Sequence, residues 1–371
     1  MKHTTVALLA CALSCAGCFE LDYLLQAGEG QLDLLCRARS IESSVENPDL
    51  DAHTRRLLAD VPRIKAFAST SGLVPTDSYE DYVELPGRYV VWVVSAAPPL
   101  SLEPKRWAFP IVGSVPYLGW FDHHLARAQA EGLKAEGWDV DVRGSTAYST
   151  LGWFDDPVLS SMIEDSPDAD GELANVILHE SVHATIYVPG QSEFNEGLAT
   201  FVGDRLTLDY LTQRFGPSSQ EIVTWEEGEV YAKKTQERLH EAYQDLKRLY
   251  ATKASDEDKL ARKSAYLDAL RTELRFRRPI TNATLAGYDT YHGGSQAFGA
   301  LLVECGNDLK RLMSVAQTVK ESDFPKPQAS DLTPIVKKLG ARCREAAKAD
   351  APKAEKKQTD AATPPAATAA P

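Results

Sequence analysis

The stretch LHESVHATIYVPGQSEFNEGLATFV, Leu178 to Val202, decides how the rest of the chain reads. On an α-helix, residues four apart lie on one face a turn apart, so His179 and His183 can aim both imidazoles at one ion. Glu180 stands beside the first of them, where its carboxylate reaches a water on that ion. Asp170 can cap this helix, Val176, Ile177 and Leu178 draw it into a core, and Pro189-Gly190 ends it. A catalytic zinc takes three protein ligands and leaves a position for water. The turn Val188-Pro189-Gly190-Gln191 reverses the chain, and Phe194 to Leu211 predicts a second helix that brings Glu196 back as the third ligand. Glu193, three residues earlier on roughly the same face, is its rival. The chemistry that follows is hydrolysis: zinc (one Zn2+ ion) acidifies its water and Glu180 accepts the proton as that water attacks a carbonyl.

Negative charge on the attacked oxygen needs a donor. Thr290-Tyr291-His292, followed by Gly293-Gly294, offers Tyr291 or His292, and the residues alone leave that choice open. Thr200, one turn after Glu196, and Asp204 are candidates to orient the ligand histidines.

Around this centre the chain reads as α+β and mostly helical, with a small twisted sheet beside the motif helix. Leu21 to Ile41 carries Leu24, Leu32 and Leu35 at helical spacing and reads as an amphipathic helix; Leu50 to Ser71 predicts another. The run GRYVVWVVSAA, Gly87 to Ala97, is β-branched and aromatic and predicts a buried strand. Trp107 to Val112 and Trp138 to Val142 predict two more, with a helix from Asp122 to Gly137 between them. Residues 219–277 predict a charged hairpin of two long antiparallel helices, broken near Ser255-Asp256 and read as a solvated scaffold, with a substrate lid as the alternative. From Ala346 to Pro371 the composition holds Ala, Lys, Pro and Thr and predicts a disordered tail.

With 371 residues, 43% of them hydrophobic and 25% charged, the body (18–345) is expected to fold as a single large domain. A formal charge of −13 excludes nucleic acid as a partner, since phosphates call for a basic surface. Residues 1–17 read as an export signal: a basic start, then a small apolar run too short to span a bilayer. Ala16-Gly17-Cys18 resembles a bacterial lipobox, although Cys15 stands where leucine is usual, and implies a lipid anchor on Cys18. Phe19 after the cysteine implies the outer membrane if the host is Gram-negative. A plainly cleaved signal is the alternative. Of the cysteines in the body, Cys36, Cys305 and Cys343, the last two are a possible disulfide in the oxidising envelope.

Several blocks together resemble a bacterial family described as aminopeptidases, within the HExxH-plus-Glu (gluzincin) zinc peptidases. They are Gly30-Gln31-Leu32, SLEPKRWAFPIVGSVPYLGWFD (Ser101 to Asp122), AYSTLGWFDDPVLSSM (Ala147 to Met162), LHESVHATIYVPG, FNEGLATFV and Thr290-Tyr291-His292. Ser114, where the family has cysteine, and Gly197, where serine is commoner, depart from it without touching a proposed ligand. The resemblance implies a zincin-like core acting on peptide or protein substrates. It makes Ala147 to Leu151 a candidate strand for pairing with substrate, with an ordinary core strand and turn as the other reading. It asks for an anionic group to hold the substrate's α-ammonium, for which Asp155, Asp156 and Glu193 are candidates. An envelope endopeptidase, or a non-catalytic lipoprotein that binds a partner, are the alternative functions.

Overall fold

The computed structural model describes residues 19, 22–109, 113–148, 150, 154–292, 295–329 and 331–350. Helix α1 (22–37) leads through a short strand β1 (Arg39–Ser40) into α2 (Ile41–Glu46), α3 (Ala52–Leu58) and α4 (Val61–Thr70). Strands β2 (Asp81–Val83), β3 (Val91–Ala97), β4 (Trp107–Phe109), β5 (Gly113–Val115) and β6 (Leu118–Trp120) follow. Helix α5 (His123–Ala135) precedes β7 (Asp139–Ser145) and β8 (Val158–Leu159). Helices α6 (Ala169–Thr185), α7 (Ser192–Phe215), α8 (Gln220–Tyr250) and α9 (Asp256–Glu273) come next. The chain continues through α10 (Asn282–His292), α11 (Ser295–Glu304), α12 (Leu309–Ala316) and α13 (Thr333–Asp350).

The architecture is mostly helical with small sheets, the α+β class the sequence predicts. The sheet that matters for the centre has the order β6-β3-β7, antiparallel throughout, with Val91 opposite Ser145 and Trp92 opposite Trp120. Successive side chains of a strand point to opposite faces. Accordingly Val94 and Ala96 pack with α5 residues Ala126, Ala130 and Leu133, while Val91 and Val93 join the main core with α6 and α7. Helix α10 bridges this sheet to α7 and α8.

The expected hairpin is α8 and α9, with Ser255 capping the second helix through its side chain on the Asp258 N–H. Its antiparallel register is fixed by Arg238 on Glu273 and Tyr266 on Asp245. Buried polar contacts pin its base. Asn282, fully buried, donates to the carbonyls of Pro98, Pro99 and Ser101 and accepts from the Tyr250 hydroxyl. Lys263 reaches Pro99 O at 2.9 Å and the Asp139 carboxylate. An amide that makes four bonds inside the protein is costly to strip, so this end of the hairpin is scaffold.

Five expectations change. The helix expected over Leu50 to Ser71 is two, because Pro62 has no N–H to donate back to Leu58, and α4 begins afresh with this proline in its first turn. Helix α1 ends at 37, so Ile41 opens α2 instead of closing α1. Asp168, not Asp170, is the cap position of α6; Asp170 sits inside the first turn, bound by both terminal nitrogens of Arg56 at 2.6 and 3.0 Å. Ala147, Tyr148 and Thr150 form no strand, for β7 stops at Ser145; Ser149 and Leu151 lie outside the described residues. Finally, α13 runs past Ala346 to Asp350, since Ala346-Ala347-Lys348 are strong helix formers. Residues 351–371, and the signal through Cys18, lie outside the described residues.

Cys305 and Cys343 form a disulfide, both fully buried, which ties the end of α11 to α13; Cys36 is exposed and free. A cross-link over 38 residues of chain stabilises by restricting the unfolded state, by about 4 kcal/mol on the loop-entropy relation. Replacing both cysteines by alanine should lower the guanidinium midpoint accordingly, and added reductant should then change nothing. An unaltered midpoint would show that the bond contributes no stability.

Candidate metal centre

Two antiparallel helices build the centre. Helix α6 supplies His179, Glu180 and His183, and α7 supplies Glu196. Between them the chain turns over Ile186 to Gln191, where Gly190 takes φ +71°, a left-handed conformation suited to glycine. The buried Asn195 side chain closes the turn by accepting from the Val188 N–H and donating to the Val188 carbonyl, both at 2.9 Å. The C-terminal segment braces it from outside. Gln191 donates to Lys326 O and accepts from the Ala329 N–H, and the Gln328 N–H donates to Gly190 O.

Further along, α7 presses on α6 through Gly203. A Cβ there would lie 3.3 Å from His179 Cα, so glycine sets how close the helices come. With this spacing Glu196 Oε2 lies 3.6 Å from both His179 Nε2 and His183 Nε2, and the three donor atoms fall within 4.8 Å of one another. Ligands about 2.1 Å from a tetrahedral ion lie roughly 3.4 Å apart, so the three atoms fit one ion with little adjustment. Burial pushes the Glu196 carboxyl up, but the facing imidazoles outweigh it and hold it at about 2. Burial opposes charge on His183 too, and Glu196 and Glu180 overcome it and raise its pKa. His183 Nδ1 and Glu180 Oε2 are buried without a hydrogen-bond partner among the described residues. Glu180 therefore holds a free acceptor beside the donors, as a base acting on water there requires. Glu193, half-buried, lies one turn before Glu196 and is not part of the converging set.

The sequence did not point to Asn175, Asn195, Gly203 or Tyr79. Asn175, one turn before His179, donates to Asp204 Oδ1 at 3.0 Å and to Thr207 Oγ1 at 3.3 Å, so Asp204 faces α6 near His179. Thr200 lies on α7 half-buried. Tyr79 is buried at φ +64°, its N–H on Asp156 O at 2.7 Å. Burial first, then the charges of Glu180 and Asp156, push its phenol well above the usual range, so it keeps its proton. Asp156 is buried and accepts from the Thr150 N–H and Oγ1, both at 2.8 Å. Asp155 is exposed. Tyr291 and His292 close α10, which packs on α7; their side chains lie outside the described residues.

Over residues 22–329 the chain matches the family described as "Putative aminopeptidase". It belongs to that family. No curated protein and no solved structure matches it. Within the family's matched span lie α6, α7, the brace at Gln328 and the hairpin, so the centre and its supports fall in the shared region.

A second group of acids adjoins the centre. Burial lifts Asp204 to about 6 against Asn175 and His179, and Glu229 to about 7 with help from Asp204 and Glu172. These groups are protonated when folded at a pH where the unfolded chain has lost the protons. Stability should therefore fall as pH rises from about 4.5 through about 7 and level off above. With chelator present, the melting temperature of the wild type should drop between pH 5 and 8, and that of Glu229→Gln should drop less. Parallel curves would contradict the assignment.

Proposed function

We propose that the chain is a zinc-dependent peptidase of the bacterial cell envelope that removes residues from the amino terminus of peptides, anchored to the membrane through Cys18. The observation that carries this is the convergence of His179, His183 and Glu196 with Glu180 beside them. Two imidazoles and a carboxylate, with no thiolate, are a donor set of catalytic zinc, as in the gluzincins. The family description supports both peptide hydrolysis and amino-terminal specificity. The Cys305–Cys343 bond supports export to an oxidising space, in keeping with the signal and the lipobox.

Zinc held there would supply a Lewis acid and lower the pKa of water. Glu180, with a free carboxylate oxygen, takes the proton of the attacking water and delivers it to the departing amine. Tyr291 or His292 donates to the carbonyl oxygen as it becomes negative. Tyr79, buried close enough to Glu180 to feel its charge, keeps its phenol protonated. Asp155, Asp156 and Glu193 are the candidates to hold the α-ammonium, and Glu193 stands on the same helix as Glu196.

Glu180→Gln should keep the bound zinc and lose about 10²–10⁴-fold in peptide hydrolysis. Glu196→Gln should lose the zinc itself, measured by metal analysis after dialysis. Peptides with free amino termini should be cut and acetylated ones spared. Equal cleavage of both would replace the aminopeptidase by an endopeptidase. A wild-type chain that takes up no zinc would leave only the partner-binding reading.

A further inference from the structure

Helix α1 turns its apolar side away from the protein. Leu24, Leu25 and Leu32 are 45%, 61% and 62% exposed, while the buried residues of the helix are Gln31 and Leu34. At 3.6 residues per turn, Leu24, Leu35, Gly28, Leu32, Leu25 and Cys36 fall in sequence around an arc of about 120°. Glu29, Asp22 and Asp33 follow along one edge of that arc. A core-facing helix would show the reverse, with the charged edge outward and the leucines inward. This is the pattern of a helix lying in an interface, apolar side down and acids at the waterline.

The position of the face says what covers it. Phe19, the residue after the lipobox cysteine, already belongs to the fold. Its ring stacks on Tyr23 with centroids 6.4 Å apart and lies 6.4 Å from the ring of Trp120. An acylated Cys18 is thus the direct neighbour in sequence of a residue packed on Tyr23 and Trp120, and chains inserted at residue 18 hold the start of this helix at the bilayer surface. Gly30 fixes the rotation of α1. A Cβ there would fall 2.2 Å from the Phe121 ring, so the helix is seated on Phe121 by its Gly30 side.

We infer that the exposed leucine face of α1 lies in the membrane and, with the acyl chains, fixes the orientation of the whole body on it. The inference rests on the reading of Cys18 as the anchor. The acidic edge and the formal charge of −13 make the surface it fits a zwitterionic one; anionic headgroups repel it.

Cys36 supplies a natural probe, because it closes the arc, is exposed, and is the one thiol left in the mature chain once Cys18 is acylated and Cys305 and Cys343 are paired. The full acylated protein, labelled at Cys36 with a fluorescent maleimide, is reconstituted into phosphatidylethanolamine–phosphatidylcholine vesicles containing spin-labelled lipid. The label should be quenched at least about twofold. Leu25→Ser with Leu32→Ser should abolish most of that quenching while acylation and helical content stay unchanged, and added phosphatidylglycerol should weaken it. A label that remains open to aqueous iodide in vesicle-bound protein overturns the inference. So does a label shielded in the absence of lipid, which would place a second copy or another protein on the face. The mass of the N-terminal peptide tests the anchor separately. An unmodified Cys18 sinks the anchor reading, and the leucine face falls with it only if that chain leaves the label unquenched by vesicles.

Discussion

The two hydrogen bonds from the Asn195 side chain to the backbone of Val188 hold the centre together. They set where α7 starts relative to where α6 stops, and so decide that Glu196 faces two imidazoles from the preceding helix. A buried amide whose donor and acceptor both meet the backbone of one residue has a single good geometry, and losing it strands polar groups away from water. The turn could not drift without losing these bonds and those of Gln191 and Gln328 around it. At Gly203 the helices come close enough that an added methyl group would lie 3.3 Å from His179 Cα.

The rest of the body serves this pair. The β6-β3-β7 sheet has α5 on one face and gives the other to the main core, and α10 carries Tyr291 and His292 from the sheet to α7. The Asn282 and Lys263 contacts fasten the hairpin to the loop after β3, so the long charged helices stand on a fixed base. The acids Asp204, which faces His179, and Glu229 hold protons into the neutral range, a cost in stability at high pH accepted close to the centre.

What the sequence made legible follows the reach of each interaction. His179, Glu180 and His183 could be placed because a helix period is local, and Glu196 because only a Pro-Gly turn separates it from them. The hairpin was legible for the same reason: its cap at Ser255 and its charges are near in sequence. Asn195 lay inside a quoted block, yet its partner is a backbone group that no side chain advertises. Asn282 meets carbonyls some 180 residues away, and nothing in spacing reveals that. Helix α1 was readable as amphipathic, but the side that goes inward depends on Phe121 filling the notch at Gly30, which only the fold supplies. Asp156 reads as one of three candidate anions, and only the fold shows that it is buried and accepts from Thr150. The strand expected at Ala147 failed similarly, since that segment folds back on Asp156 instead of extending β7.

The central claim is that His179, His183 and Glu196 form one metal site. X-ray absorption at the zinc edge, on protein loaded with one equivalent and freed of excess, tests it most directly. The account predicts a shell of nitrogen and oxygen ligands at about 2.0–2.2 Å with the outer-shell signature of two imidazoles. Sulfur at about 2.3 Å, or zinc scattered over surface carboxylates with no imidazole signal, would contradict it.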